Sequence, residues 1–538
     1  CTSLASVTIP ASVTRIYSEA FYNCTALTTV YYNGLELLWE TIQIDENNDP
    51  LLSAEVVFVG MGDEEIVASG TCGESVTWTL TNQGALTISG TGAMDDYDWR
   101  NSPPWTAYAA SIYVVVVEEG VTSIGEFAFY RCGDTLVSVT LADSVTSIGG
   151  YAFERCGRLE SIELPENLVS IGMRAFANCS NLRTISIPAS VTEIGEQAFV
   201  SCNALESITV NDSNTAYADD NGVLLNKDMT NLICYPAGRS AQEYVVPATV
   251  KTISSEAFFD ASLLAIVLPS GLEIIEWDAF AYCSGLKTIF IPASVTEIGS
   301  GALRGCWDLT AITVDKNNAA YTAVDGILFT KDKKVLLTYP AGRAATEYAI
   351  PAGVTSMDHS AFEQSMNLTK VTIPGSLKVI SSDAFWNCGS LTTVEIGNGV
   401  QTIGSYAFAY CQQLTVITIP GSVTNIENSA FVNCTNLAKV VFAGTSEQWA
   451  KLSVGSNNEW LKNAAVEFAG GSVLLGDVNG DGKVNGTDTN LIFRYVSGTN
   501  SFTAEQLLAA DVNRDGVVNG TDTNLVFRFV SGTLGSLG

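Results

Sequence analysis

A chain of 538 residues exceeds what one compact core organises, since single cores stop growing at about 250–300 residues, so several domains or a repeat array are expected. Its 57 acidic against 26 basic side chains give a formal charge of −31, which disfavours nucleic-acid and anionic-membrane partners. Charged residues make up only 15% of the chain and hydrophobic ones 47%, so it is not a disordered acidic tail, and no apolar run reaches the ~20 residues that span a bilayer.

The first residues, Cys1 to Pro10, lack the basic and apolar regions of a signal peptide and read as the middle of a repeat, which implies a mature fragment or a truncated chain. The repeat is clearest downstream. Ile289-Phe290-Ile291-Pro292-Ala293-Ser294-Val295-Thr296-Glu297-Ile298-Gly299 recurs almost verbatim from Ile185 to Gly195, and each copy runs into an Ala-Phe-x-x-Cys type turn. Phe129, Phe153, Phe176 and Phe199 lie about 23 residues apart, as do Phe362, Phe385, Phe408 and Phe431.

Within each unit an alternating run such as Leu391 to Ile396 predicts a half-buried strand, and Val-Thr-x-Ile a second short one. The Ala-Phe-x-x-Cys segment fits a single helical turn whose Ala, Phe and Cys face inward. No unit buries its own apolar face, so neighbours must stack into a solenoid.

In chain order, residues 1–58 read as the end of a first repeat block with a terminal cap, and 59–114 as a small β-rich insert. Residues 115–470 read as the main solenoid, with two β-hairpin inserts and a second cap. The inserts align at Tyr217 with Tyr321, Gly222 with Gly326, and Tyr235 to Arg239 with Tyr339 to Arg343, and are expected to hang on the solenoid as extra surface. The caps match too: Val440, Trp449 and Asn457-Asn458 against Val30, Trp39 and Asn47-Asn48. A short linker, 471–475, leads to a final module, 476–538.

The repeat pattern over 1–33 and 115–442 resembles the BspA-type leucine-rich repeats of bacterial surface and secreted proteins. The fold class expected is mixed β/α: a leucine-rich-repeat solenoid of short parallel strands and short helical turns, then a small all-α module.

Cys24, Cys132, Cys156, Cys179, Cys202, Cys283, Cys306, Cys388, Cys411 and Cys434 share one repeat position, filled by Ala261 and Ser365 in other copies. Stacked coils place their Cβ vectors parallel, so a ladder of buried thiols is favoured over disulfides or a metal site. Cys72 and Cys234 fall outside the ladder and stay undecided. His359, the one histidine, reads as a solvated residue rather than a catalytic base.

The most specific chemistry is in the final module. Asp477, Asn479, Asp481, Asn485 and Asp488 place oxygen side chains at positions one, three, five, nine and twelve of a calcium loop, with Gly482 at six and the backbone carbonyl of Lys483 at seven. Asp511, Asn513, Asp515, Val517, Asn519 and Asp522 repeat the arrangement, so two calcium ions are expected. Position twelve is Asp rather than Glu, and the glycine-flanked approach to the first loop leaves no room for an entering helix. An ordinary EF-hand pair is the alternative, but the pattern over 476–533 resembles the half EF-hands of dockerins, close to type I, the docking modules of cellulosome-type assemblies.

That resemblance implies a cohesin domain of a scaffoldin as partner. It also implies partner-reading positions at Gly486, Thr487, Phe493 and Arg494 in the first copy and Gly520, Thr521, Phe527 and Arg528 in the second. The copies agree at every one, which predicts a module able to bind one cohesin in either of two orientations. The whole reads as a non-catalytic, secreted component of an extracellular, bacterial cell-surface complex whose repeats bind protein or glycan. A dockerin-borne hydrolase with an unrecognised site is the alternative, although no pair of carboxylates stands out for it; a plain spacer is a third.

Overall fold

The computed structural model describes residues 1–10, 13–34, 36–59, 64–130, 132–133, 135–468, 475–479, 481, 483–513 and 517–537. The chain divides into two compact units, one of residues 1–345 with 357–367 and one of 346–356 with 368–538.

In the first unit, Ser6–Pro10, Thr29–Asn33 and Glu55–Phe58 form a parallel sheet closed by the helices Glu36–Glu40 and Asp49–Leu52. The β-rich segment that follows is an antiparallel meander, Ile66–Thr71, Val76–Thr81 and Ala85–Gly90. Its last strand pairs in parallel with Val114–Val117, which pairs with Ser138–Leu141. The meander therefore seeds the repeat sheet and shares its core. Trp105 stacks on Phe129 at 5.6 Å, and the stack continues through Phe153, Phe176 and Phe199 at 5.2, 5.4 and 5.8 Å.

The Ala-Phe segment is a run of β-turns, not the helical turn expected. Around Phe176, Arg174 (φ 53°) and Asn178 (φ 60°) are left-handed, and the same two positions are left-handed around Phe385 and Phe408, as Asp383, Asn387, Tyr406 and Tyr410. A helix needs unbroken right-handed backbone. Alternate N–H groups stay inside the turn: Ala175 to Gly172 O, Ala177 to Arg174 O and Cys179 to Phe176 O, at 3.1–3.2 Å. The others donate to the next coil: Arg174 to Glu196 O, Phe176 to Ala198 O and Asn178 to Val200 O, at 2.9–3.0 Å. The left-handed residues thus turn half the donors of this turn onto the neighbouring coil.

The cysteine ladder is present, and no disulfide forms among the described residues. Seven of the thiols donate to the Phe carbonyl of the preceding coil, as Cys179 does to Phe153 O (3.2 Å), Cys202 to Phe176 O (3.1 Å) and Cys306 to Phe280 O (3.1 Å). Cys72 and Cys234 are also free.

The two inserts are built into the core rather than hung on it. Tyr217–Asp220, Val223–Asn226 and Asn231–Cys234 make an antiparallel meander whose third strand pairs in parallel with Thr252–Ile253. Val223, Leu224 and Leu225 are fully buried. Tyr235 then takes the phenylalanine position of the coil that the insert interrupts: it stacks on Phe258 at 5.0 Å and donates its N–H to Ala257 O at 2.7 Å. Tyr339 does the same on Phe362, at 4.9 Å. His359, expected in solvent, is half-buried, its backbone N–H donating to Asp358 Oδ1 at 3.0 Å.

The second unit carries a six-stranded parallel sheet, from Glu347–Ala349 through Lys370–Ile373, Thr393–Ile396, Val416–Pro420 and Lys439–Ala443 to Ala465–Phe468. Phe385, Phe408 and Phe431 stack at 5.1 and 5.4 Å. The cap follows with the helices Ser446–Ala450 and Glu459–Asn463. Beyond it lie three more helices, Gly486–Val496, Ala504–Ala510 and Gly520–Val530.

Candidate functional site

Each of the two long C-terminal helices starts from the loop that precedes it. Asn485 is the N-cap of the first, its side chain accepting the Thr487 N–H at 2.8 Å; Asn519 does the same for the second with Thr521, at 2.7 Å. Asp488 completes a capping box and is fully buried: Oδ1 accepts the N–H groups of Val478 (2.9 Å) and Asn479 (3.1 Å), and Oδ2 that of Asn485 (3.0 Å). Asp522 repeats this with Val512 (3.1 Å), Asn513 (3.3 Å) and Asn519 (3.0 Å). The short position-twelve carboxylate therefore ties the end of each loop to its beginning.

Inside the first loop, Asp481 N–H donates to Asp477 Oδ1 (3.2 Å) and Asn479 Oδ1 (2.9 Å), and Lys483 N–H to Asp481 Oδ1 (2.9 Å). These bonds gather side-chain oxygens of positions one, three and five around successive turns. Asn485 Nδ2 contacts Lys483 O at 3.5 Å, and Asn519 Nδ2 donates to Val517 O at 3.1 Å. Asp515 and the position-six glycines Gly482 and Gly516 lie outside the described residues.

This donor set fits a hard, oxygen-preferring cation. Asp477 is 9% exposed and Asp488 has no exposed surface, and two buried carboxylates in one loop repel each other unless a cation joins them. No cluster of three or more acidic, cysteine or histidine side chains suited to a metal forms among the described residues; the donors that the sequence offers here are carboxylate, amide and carbonyl oxygens. A cation held by these residues would supply charge neutralisation and loop closure.

Val478, Ile492, Ala509, Ala510, Val512 and Val526 form the small core under the loops, with Val484 and Val518 packed against it. Gly476 N–H donates to Ala509 O at 2.8 Å, and Tyr495 stacks on Phe502 at 4.5 Å, which fastens the connecting helix. Gly498 (φ 75°) and Gly532 (φ 74°) end the long helices in the left-handed conformation that glycine adopts without strain.

On the outer face the two long helices form a groove of about 660 Å³. It is lined by Gly486, Thr489, Asn490, Phe493 and Val496 with their mates Gly520, Thr523, Asn524, Phe527 and Val530, every pair sharing one 34-residue offset. Phe493 and Phe527 are each 60% exposed. The eight positions expected to read the partner are all exposed; Gly486, Gly520 and the two phenylalanines line the groove, whereas Thr487, Arg494, Thr521 and Arg528 do not. Thr489, Asn490 and Val496 were not singled out from sequence; the identity of the two helices was the signal that pointed to them.

The turn aromatics of the repeats are largely occupied by one another: Phe259 meets Tyr282 at 5.2 Å and Trp386 meets Tyr410 at 5.6 Å. Arg304 lies among buried carboxylates, its Nε and Nη2 on the two oxygens of Asp278 at 2.7 and 2.8 Å, while Tyr282 OH donates to Glu363 Oε1 at 2.8 Å. That network uses both Asp278 oxygens internally.

Stacked parallel coils ending in a pair of capped, loop-led helices define a repeat solenoid carrying a docking module. The BspA type leucine rich repeat region matches six copies over residues 1–37, 107–220, 234–326 and 341–453, and the chain belongs to this family. The Dockerin type I domain matches residues 475–531. Dockerin type I domains bind calcium through EF-hand-like loops and attach to cohesins in cellulosome-type assemblies; neither family is catalytic.

Among solved structures, a leucine-rich repeat protein from Eubacterium ventriosum is 32% identical, with 64% of this chain and 95% of that one covered and a TM-score of 0.48. A leucine rich cell surface protein from Faecalibacterium prausnitzii is 25% identical over 72% of this chain and 98% of its own, with a TM-score of 0.38. No curated protein matches the chain. No described helix is long and apolar enough to cross a membrane.

Proposed function

We propose that the chain is a non-catalytic, secreted subunit of an extracellular, bacterial cell-surface complex. Residues 476–538 plug into a cohesin of a scaffoldin, 471–475 form the linker, and the repeats of 1–58 and 115–470, with the β-rich 59–114 between them, present a surface that captures protein or glycan. Two calcium ions hold the plug, one on Asp477, Asn479, Asp481, Lys483, Asn485 and Asp488 and one on Asp511, Asn513, Asp515, Val517, Asn519 and Asp522. Gly486, Thr487, Phe493 and Arg494 read the partner in one orientation, and Gly520, Thr521, Phe527 and Arg528 in the other.

The observation that carries this reading is the pairing of every groove residue with an identical or near-identical mate, Val496 with Val530 and Phe493 with Phe527 among them. A face of that symmetry offers the same contacts after half a turn. The test is capture of the full chain on an immobilised panel of type I cohesins in calcium and in excess chelator. Retention by at least one cohesin in calcium and release on chelation is expected; capture that survives chelation, or none in calcium, refutes the reading.

A further inference from the structure

Ahead of the main repeats, Thr71, Asp95, Asp96, Tyr97, Asn101 and Ser102 line a polar cavity of about 490 Å³. Asp96 Oδ1 accepts the Glu126 N–H at 2.8 Å. The Asp95 carboxylate and the Asn101 and Ser102 side chains make no hydrogen bond or ion pair among the described residues. Tyr97 is 7% exposed, and its hydroxyl is buried with no partner among the described residues. Burial, then Cys72, Asp95 and Asp96, push its phenol pKa up, so it stays a donor.

The rim adds a second feature. Asp98 Oδ1 accepts the N–H groups of Arg100 (2.6 Å) and Asn101 (2.7 Å), making a tight turn with Trp99 on it. Tyr97 and Asn101, both in the cavity wall, flank that turn. Trp99 is 78% exposed, the largest value for any big apolar side chain among the described residues.

We infer that this loop is a subsite for a neutral carbohydrate chain. A sugar ring has an apolar C–H face that stacks on an indole and a hydroxyl edge that needs convergent donors and acceptors. Carboxylate oxygens accept sugar hydroxyls strongly, and Asn and Ser both donate and accept. Asp95 and Asp96 repel uronic acids and sulfated sugars. The inference deepens the glycan part of the proposed function and rests on it; it is independent of cohesin docking.

The experiment titrates the full chain, in saturating calcium, with cellohexaose, xylohexaose, mannohexaose and, as the acidic control, hexagalacturonate, following calorimetry and tryptophan fluorescence. At least one neutral chain should bind saturably and hexagalacturonate should not. Trp99→Ala and the near-isosteric Asp95→Asn should each weaken that binding about tenfold, the scale of one lost stacking or polar contact. Cohesin capture by the same preparations should be unchanged, and unchanged near-UV circular dichroism and thermal unfolding of the two variants report that the β-rich segment stays folded.

No saturable binding of any neutral chain overturns the subsite. So does binding that both variants leave intact, which would keep a glycan-binding surface but place it elsewhere. Stronger binding of the galacturonate also overturns it. Failed cohesin capture with intact sugar binding counts against the docking reading alone.

Discussion

The backbone N–H of Phe431 donates to Oδ1 of Asn458 at 2.9 Å, where Phe408 one coil earlier donates to the carbonyl of Ala430 at 2.8 Å. A side-chain amide thus stands in for the coil that is no longer there. Its Nδ2 donates to Glu427 O at 2.8 Å and Gly455 O at 3.1 Å. Asn48 makes the matching bond to Phe21 N–H, at 2.9 Å, in the first block.

Asn458→Ala removes these partners from a fully buried site, so the second unit should lose about 2–3 kcal/mol, the cost of stranding buried backbone groups. Thermal and urea unfolding measure it. An unchanged transition would show that the amide is not the cap.

Asp488→Asn keeps the shape of the position-twelve side chain but turns an NH₂ toward either the Val478 and Asn479 N–H groups or that of Asn485. Calcium affinity of the first loop should fall, and the chelator concentration that melts the helical circular-dichroism signal should drop. Asp522→Asn should do the same for the second loop. Equal chelator midpoints for both variants and the parent would contradict the ligand assignment.

The symmetric face predicts an uneven response to mutation. Phe493→Ala with Arg494→Ala removes one of two equivalent orientations, a statistical loss of about twofold in affinity. Phe527→Ala with Arg528→Ala should do likewise, whereas the quadruple variant should lose more than about a hundredfold, as expected when both sets of anchors go. Titration against one cohesin decides; loss of binding in either double variant with the module folded defeats the dual mode.

The thiol ladder predicts an alkaline limit to stability. Burial pushes Cys132, Cys306 and Cys434 up to about 12, while unfolded thiols titrate near 8.5–9. The folded chain holds its protons more tightly, so this contribution is full below pH ~9 and is lost as pH rises toward ~12. Denaturant midpoints between pH 8 and 11 should fall, and fall less in a Cys→Ala ladder variant. At pH 8, Cys1, which is exposed, should be the thiol that alkylates in the folded chain.

The coil spacing was legible because a phenylalanine and a small residue recur at fixed offsets, and the calcium loops because oxygen-bearing residues alternate around obligatory turns. The turn type was not. Its left-handed positions are held by Arg174, Asn178, Asp383 and Tyr406, a mixture without the glycine signature except at Gly301 and Gly305. Tyr235 was hidden inside an insert because its neighbours, Pro236 to Arg239, do not resemble those of Phe258. Asn490 and Val496 joined the groove only once two helices distant in sequence lay side by side. The buried pairing of Arg304 with Asp278 spans a coil and leaves no local pattern.

The alternating N–H groups of each turn give the array a direction: a coil donates to the one after it and receives from the one before. An uncapped downstream end would present a row of unanswered donors, and an uncapped upstream end a row of free carbonyls. Two molecules could then join head to tail, the geometry that grows open filaments. By answering the Phe431 donor from within the chain, the asparagine cap does more than stabilise one domain: it takes up a hydrogen-bond donor through which a foreign coil would otherwise add to the array.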